Sequence, residues 1–350
     1  MSKRVIVLLI VVLLIVNLAG CSSAGKETTT PDDAGANDVN DEEVIELNLD
    51  HVTTAESVNG RVAEEYSRLV SEKTDGKVKI NVFHQGGLSG GNGQTEIELL
   101  TAGSIDIILP TSGYFGNTVP ESLLISLPFF YNNIDDLNKV LDSETGKQVE
   151  EKFQEKEMKV LAWFPRTARQ ISNSKKLVKT PEDMKSMKIR VMDSQIYIDT
   201  MKELGAQPTP MAWGEVYTAL QLNTIDAQEN PVDIIKNEKI YEVQKYITLW
   251  DYSFDSLMLI ANNDKFNSLS PQIQEKMLQA AQEVRVFQRD IIDKESNEYL
   301  DFFQEEGLEV YTLSDAEKAE FRTRVENIWE KYSDQIGENI IKDARTILEE

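Results

Sequence analysis

Residues 270–306 read SPQIQEKMLQAAQEVRVFQRDIIDKESNEYLDFFQEE. Ser270 is a helix cap and Pro271 stands where the first helical residue has no amide to lose. After Pro271 neither proline nor glycine interrupts the run, and Ile273, Met277, Val284, Phe287, Ile291 and Phe302 recur at helical spacing. At about 1.5 Å per residue such a helix is roughly 54 Å long. That exceeds the width of a domain of about 130 residues. The helix therefore crosses two compact units, and a chain of 350 residues is long enough to supply both.

Working outward, the rest of the chain alternates strand and helix patterns. Val44–Leu49 reads as a strand, followed by a helix with Val58, Val62, Tyr66, Leu69 and Val70 on one face. Strands follow at Val78–Phe83, Ile105–Leu109 and Lys159–Phe164, with a short helix around Ile97 and a longer one over Asp135–Glu157. This order predicts an α/β unit with a largely parallel sheet. After Pro165 the pattern restarts: strand Gln170–Asn173, a short helix at Pro181–Met187, strand Lys188–Met192, then a helix to Leu204. Pro208–Met211 is extended, with a helix over about Glu215–Leu222 behind it, and Ser314 and Glu317 form a capping box for a helix running to Gly337. The expected fold is α/β and two-lobed. Residues 44–167 plus 256–295 form one lobe and 168–255 plus 296–350 the other.

Lys+Arg is 36 against 60 for Asp+Glu, a net charge of −24, which disfavours a nucleic-acid binder and an electrostatic lipid contact. At the N-terminus, Lys3 and Arg4 precede the unbroken aliphatic run Val5–Val16, too short to span a bilayer and suited to a signal-peptide core. The run ends in Leu18-Ala19-Gly20-Cys21, which resembles the lipobox of bacterial lipoproteins. The expectation is a signal peptide over 1–20, lipidation of Cys21 and a membrane anchor. Residues 21–43 then form a flexible tether reaching at most roughly 70 Å. With a single cysteine and only His51 and His84 for imidazole chemistry, no metal site or cofactor is expected.

Gly87-Leu88-Ser89-Gly90-Gly91 matches the G-x-S-x-G nucleophile elbow between a strand and a helix. Both histidines precede Ser89, so the chain order Ser, acid, His of that hydrolase fold cannot be met; a glycine-rich turn is the simpler reading. Arg190 sits in the apolar frame of strand 188–192, on the face opposite Ile189 and Val191. A guanidinium there needs an anion, either a structural carboxylate or a ligand's. Arg169 opens the preceding strand. Trp213 stands at a strand-to-helix junction, and Asn230, before Pro231, favours extended backbone from which its amide can face a cleft.

KIRVM (188–192), PTPMAWGEVYTALQ (208–221) and TIDAQENP (224–231) together resemble the DctP-type solute-binding subunit of tripartite ATP-independent periplasmic (TRAP) transporters. The resemblance covers roughly residues 44–350. It implies two lobes joined by crossing segments, one long helix spanning both, and hinge closure over a small organic acid that is passed to a membrane permease. It places the main carboxylate-binding arginine at Arg190, a second arginine at Arg169, an amide at Asn230 and the cleft aromatic at Trp213. Asp193 and Thr111 depart from the sialic-acid binders, which favours a uronate or other sugar acid. A C4-dicarboxylate, with Arg169 gripping its second carboxylate, stays open. His51 completes the expected ligand-binding set. The implied protein is a monomeric, non-enzymatic, extracytoplasmic receptor. An extracellular serine hydrolase using Ser89 and a chemosensory carboxylate receptor are the alternatives.

Overall fold

In the computed structural model the described residues are 44–349; the signal segment, the tether and Cys21 lie outside them. Strand β1 (Ile45–Asp50) leads into helix Val58–Lys73, whose first turn is capped by Ser57 through the amide of Gly60. That helix buries Val62, Tyr66 and Val70 and returns the chain to β2 (Val78–Phe83), parallel to β1. Helix Gly93–Thr101 and β3 (Ile107–Ile108) follow, then helices Ile134–Leu141 and Glu144–Gln154 and strand β4 (Met158–Pro165). The single helix expected over 135–157 is thus two, because Ser143 ends the first and caps the second through the Thr145 amide.

Past Pro165 the chain crosses to a second sheet and lays down β5 (Gln170–Asn173), β6 (Lys188–Val191), β7 (Gln207–Pro210), β8 (Ala227–Asn230) and β9 (Tyr246–Leu249). It then crosses back as β10 (Ser256–Asn262), runs the length of helix Pro271–Glu305, and ends with β11 (Glu309–Thr312) and helices Asp315–Val325, Asn327–Ile336 and Glu338–Glu349. The first sheet has the order β2-β1-β3-β10-β4 and the second β11-β9-β5-β8-β6-β7.

The first sheet is mixed rather than largely parallel. β10 is inserted between β3 and β4 and runs antiparallel to both. β5 plays the same part in the second sheet, antiparallel to β8 and β9. Each sheet therefore takes an antiparallel strand directly from a crossing segment, a return that needs no helical crossover.

The long helix does cross both units. Met277, Ala280, Ala281 and Val284 are buried in the core of the first sheet, whereas Tyr299 and Phe303 belong to the core under the second. Midway, the buried Gln288 amide donates to the carbonyl of Pro165 at 2.8 Å, which ties the helix to the crossing. Its two ends act as structural members of different lobes. The helix opened by the Ser314–Glu317 capping box breaks after Val325 and resumes at Asn327, and Gly337 at φ +98° then turns the chain into the last helix. That last helix packs on helices Ile134–Leu141 and Glu144–Gln154, so the C-terminus returns to the first lobe although sequence division had grouped 296–350 with the second.

Candidate functional site

β6 is an inner strand of the second sheet, flanked by β8 and β7, so both of its hydrogen-bonding edges are paired. Ile189 and Val191 are completely buried and Arg190, on the other face, is 1% exposed. All hydrogen bonds of Arg190 go to neutral oxygens. Nε and Nη2 donate to the carbonyl of Met211 at 3.1 and 2.8 Å, and Nη2 reaches the hydroxyl of Tyr114, from the first lobe, at 3.4 Å. The guanidinium lies 5.4 Å from the centre of the Trp213 ring. No carboxylate among the described residues pairs with it.

Arg190 borders a small cavity of about 40 Å³ between the lobes, together with Asn59, Thr111, Arg166, Trp213 and Asn230. Asn59 comes from the first turn of helix Val58–Lys73 and Thr111 from the segment after β3, where it bridges to Leu257 of β10. Arg166 lies on the first crossing segment, Arg190 and Asn230 come from strands of the second sheet, and Trp213 opens the helix Trp213–Gln221. The expected site residues Arg190, Asn230, Trp213 and Thr111 thus line one space.

Arg169 does not line it. Its Nε donates to Glu229 Oε2 at 2.5 Å and its Nη1 to Asp255 Oδ2 at 2.5 Å, while Nη2 serves Glu229 Oε1, the Glu229 carbonyl and Asn230 Oδ1. Burial opposes charge on Arg169, but Glu229 and Asp255 outweigh it and push its pKa above the ordinary value. Arg166, which sequence reading missed, is likewise committed. Its Nη2 donates to Asp233 Oδ2 at 2.8 Å, and its Nε stands 3.9 Å from Asp255. Asn230 accepts from Arg169 and donates to Gln228 Oε1 at 2.6 Å, so its amide is partly spent in orienting its neighbours.

Two expected residues sit elsewhere. Asp193 is exposed at the turn after β6, with Met192 taking the place on the cavity wall. His51 is fully buried, and its ring nitrogens meet His84 Nδ1 at 2.7 Å and Thr53 Oγ1 at 3.1 Å. Burial, helped by the nearby His84, lowers its pKa to about 3, so the ring is neutral near pH 7. Ser89 finds no histidine partner, because the nitrogens of His84 are taken by His51 and Glu64.

A larger crevice shares Val52 and Trp213 with the cavity but no arginine borders it. Its Lys236 rests on the rings of Tyr299 and Phe302. The smaller space, holding a buried cation without a carboxylate, is the better anion site. The lobes also touch along the larger crevice. Glu238 Oε1 accepts from the amide and the hydroxyl of Thr54 at 2.9 and 3.0 Å, and the Gly214 amide donates to the Gly91 carbonyl at 3.2 Å. The glycine-rich turn is therefore a contact surface, not a nucleophile elbow: at Gly91, φ is +75° and an added Cβ would lie 3.2 Å from Gly214 Cα.

Two α/β lobes, two crossings, a helix shared by both and a cavity between them define a two-lobed periplasmic binding protein. Residues 49–335 match the family described as bacterial extracellular solute-binding protein, family 7 (DctP), and the chain belongs to that family. The resemblance carried by the KIRVM, PMAW and QENP segments is borne out. The 2,3-diketo-L-gulonate-binding periplasmic protein YiaO of Escherichia coli is 33% identical over 282 residues, 81% of this chain and 83% of that one. Among solved structures, the sugar acid binding protein DctPAm of Advenella mimigardefordensis, in complex with galactonate, aligns with a TM-score of 0.83 at 29% identity. The alignment covers 87% of this chain and 97% of that one. A TRAP periplasmic solute binding protein of Sulfurospirillum deleyianum with bound succinate aligns with a TM-score of 0.82 at 28% identity, covering 87% and 99%. Members of this family are extracytoplasmic, and no helix among the described residues is long and apolar enough to cross a membrane.

Proposed function

We propose that this protein captures a small monocarboxylate of the sugar-acid kind in the interlobe cavity and delivers it to a membrane permease. The observation that carries the reading is Arg190: a buried guanidinium on the cavity wall whose partners are all neutral. A ligand carboxylate supplies the anion that a buried cation requires, through two parallel hydrogen bonds.

Charge counting favours one carboxylate over two. Arg169 is spent on Glu229 and Asp255, and Arg166 on Asp233, so a second ligand carboxylate has no uncommitted cation to meet. The C4-dicarboxylate alternative, the class to which the succinate-bound relative belongs, needs a cation other than Arg169 for its second carboxylate. The sugar-acid reading is in keeping with the galactonate-bound and diketogulonate-binding relatives. The chemistry is recognition alone, with the ligand unchanged. In this reading Cys21 carries a lipid anchor, and membrane retention that survives Cys21→Ala would remove that part.

Titration calorimetry with D-galactonate, D-glucuronate and succinate tests the core of the proposal. Arg190→Ala should weaken sugar-acid binding by about 2–5 kcal/mol, roughly 30- to several-thousand-fold. Arg190→Lys should recover little, since an ammonium cannot form the bidentate pair. Binding by Arg190→Ala within threefold of the parent, or a preference for succinate, would overturn the assignment.

A further inference from the structure

The polar groups of the first lobe that reach the cavity fall into two sets. Thr53 is satisfied: its hydroxyl lies 3.1 Å from His51 Nδ1 and 2.8 Å from Ser57 Oγ, and Ser57 in turn caps the helix. Asn59 and Thr111 are not. Asn59 is 4% exposed, and its Oδ1 is buried without a hydrogen-bond partner, as is Thr111 Oγ1. Both residues border the same space as Arg190.

Buried polar atoms are almost always hydrogen-bonded, and an orphan that faces a cavity asks for a partner inside it. The partner's chemistry follows from what the two residues offer. An amide supplies an acceptor and two donors, and a threonine hydroxyl supplies one donor and two acceptors. Neither is charged. A second carboxylate would accept from their donors but leave Asn59 Oδ1 without one, and an alkyl chain would leave both atoms unpaired. Hydroxyl groups, which donate and accept at once, satisfy both.

We propose that Asn59 is a specificity-determining residue that reads a hydroxyl on the carbon chain of the bound acid, with Thr111 as its companion. The proposal rests on the carboxylate reading of Arg190. It adds a division of labour: the second lobe holds the acid group, and the first lobe recognises the polyol end. Only a hydroxylated acid then satisfies both lobes at once. A site built to pair a ligand hydroxyl discriminates strongly against an analogue lacking it, because its own polar atoms are left buried and unpaired.

Calorimetry with D-galactonate, D-glucuronate and hexanoate, an acid of similar length without hydroxyls, tests this on the full chain. Asn59→Leu should weaken the better-bound sugar acid by roughly 10- to 100-fold while leaving hexanoate within about threefold. Asn59→Ser, which keeps a hydroxyl, should fall between and serves if the leucine variant melts early. Sugar-acid affinity unchanged within threefold in either folded variant, while Arg190→Ala abolishes it, would overturn the Asn59 assignment and leave the carboxylate reading standing. Equal weakening of hexanoate and sugar acid would also overturn it, by showing a general packing effect. If the wild type binds none of these acids, or Arg190→Ala binds as wild type, the carboxylate reading falls and this inference with it.

Discussion

Arg169 and Arg190 are both arginines on neighbouring stretches of the same lobe, both within 1% of complete burial, yet they live in opposite surroundings. Around Arg169 the two crossing segments and β8 bring Glu229, Asp255 and Asn230 into one network, closed by the Tyr252 hydroxyl on Glu229 at 2.7 Å. Around Arg190 there are a carbonyl, a phenol and an indole face. A buried charge with internal partners belongs to the framework, and one without them belongs to whatever enters the cavity. Residue type and burial do not tell the two apart; the inventory of acceptors does.

The sharpest way to break this contrast is Arg169→Leu. It strands two carboxylates in the interior, and breaking such a pair costs about 3–5 kcal/mol. Urea denaturation should show that loss, and a midpoint unchanged from the parent would mean that the network is not structural. A smaller effect is expected at Glu96, a buried carboxyl fully enclosed with neither oxygen paired. Burial, reinforced by Asp50, raises its pKa well above the usual 4.5. The folded state therefore keeps a proton that the unfolded chain releases, so the contribution is full below that value and is lost as pH rises through the folded one. Glu96→Gln should melt roughly 2–4 °C above the parent at pH 8 and converge with it near pH 4, by calorimetry at the two pH values. The smallest effect belongs to Arg190→Leu without ligand. With no carboxylate to strand, its unfolding free energy should stay within about 1 kcal/mol of the parent. A loss as large as that at Arg169 would erase the distinction.

What the sequence discloses depends on whether the deciding contact is local. The long helix, expected over 271–306 and found over Pro271–Glu305, rests on a serine cap, a following proline and an uninterrupted periodic run. β10 escaped because Ser256–Asn262 is buried at every residue and shows no alternation, a pattern that periodicity alone cannot separate from a buried helix. With it went the mixed character of the first sheet. In the site, Arg190 was legible from its strand frame. Arg169 was over-read, because the partners that satisfy it, Glu229 and Asp255, lie 60 and 86 residues further along the chain. Asp193 was misplaced by a turn that aims it to solvent. Asn59 did leave a trace: it shares the buried face of its helix with Val62, Ala63 and Tyr66, an amide where apolar residues are the rule.

The insertion of β10 between β3 and β4 also sets an order of events as the chain is made. When β4 has emerged, the first sheet still has a gap one strand wide between β3 and β4, with backbone amides and carbonyls of those two strands facing each other across it. The strand that fills the gap ends at Asn262, after the chain has travelled through the second sheet and back. A ribosome-bound fragment shorter than that holds an incomplete lobe, and so does any attempt to express residues 44–167 alone. Neither sheet is complete before the chain has visited the other: β10 follows β9, and β11 follows β10.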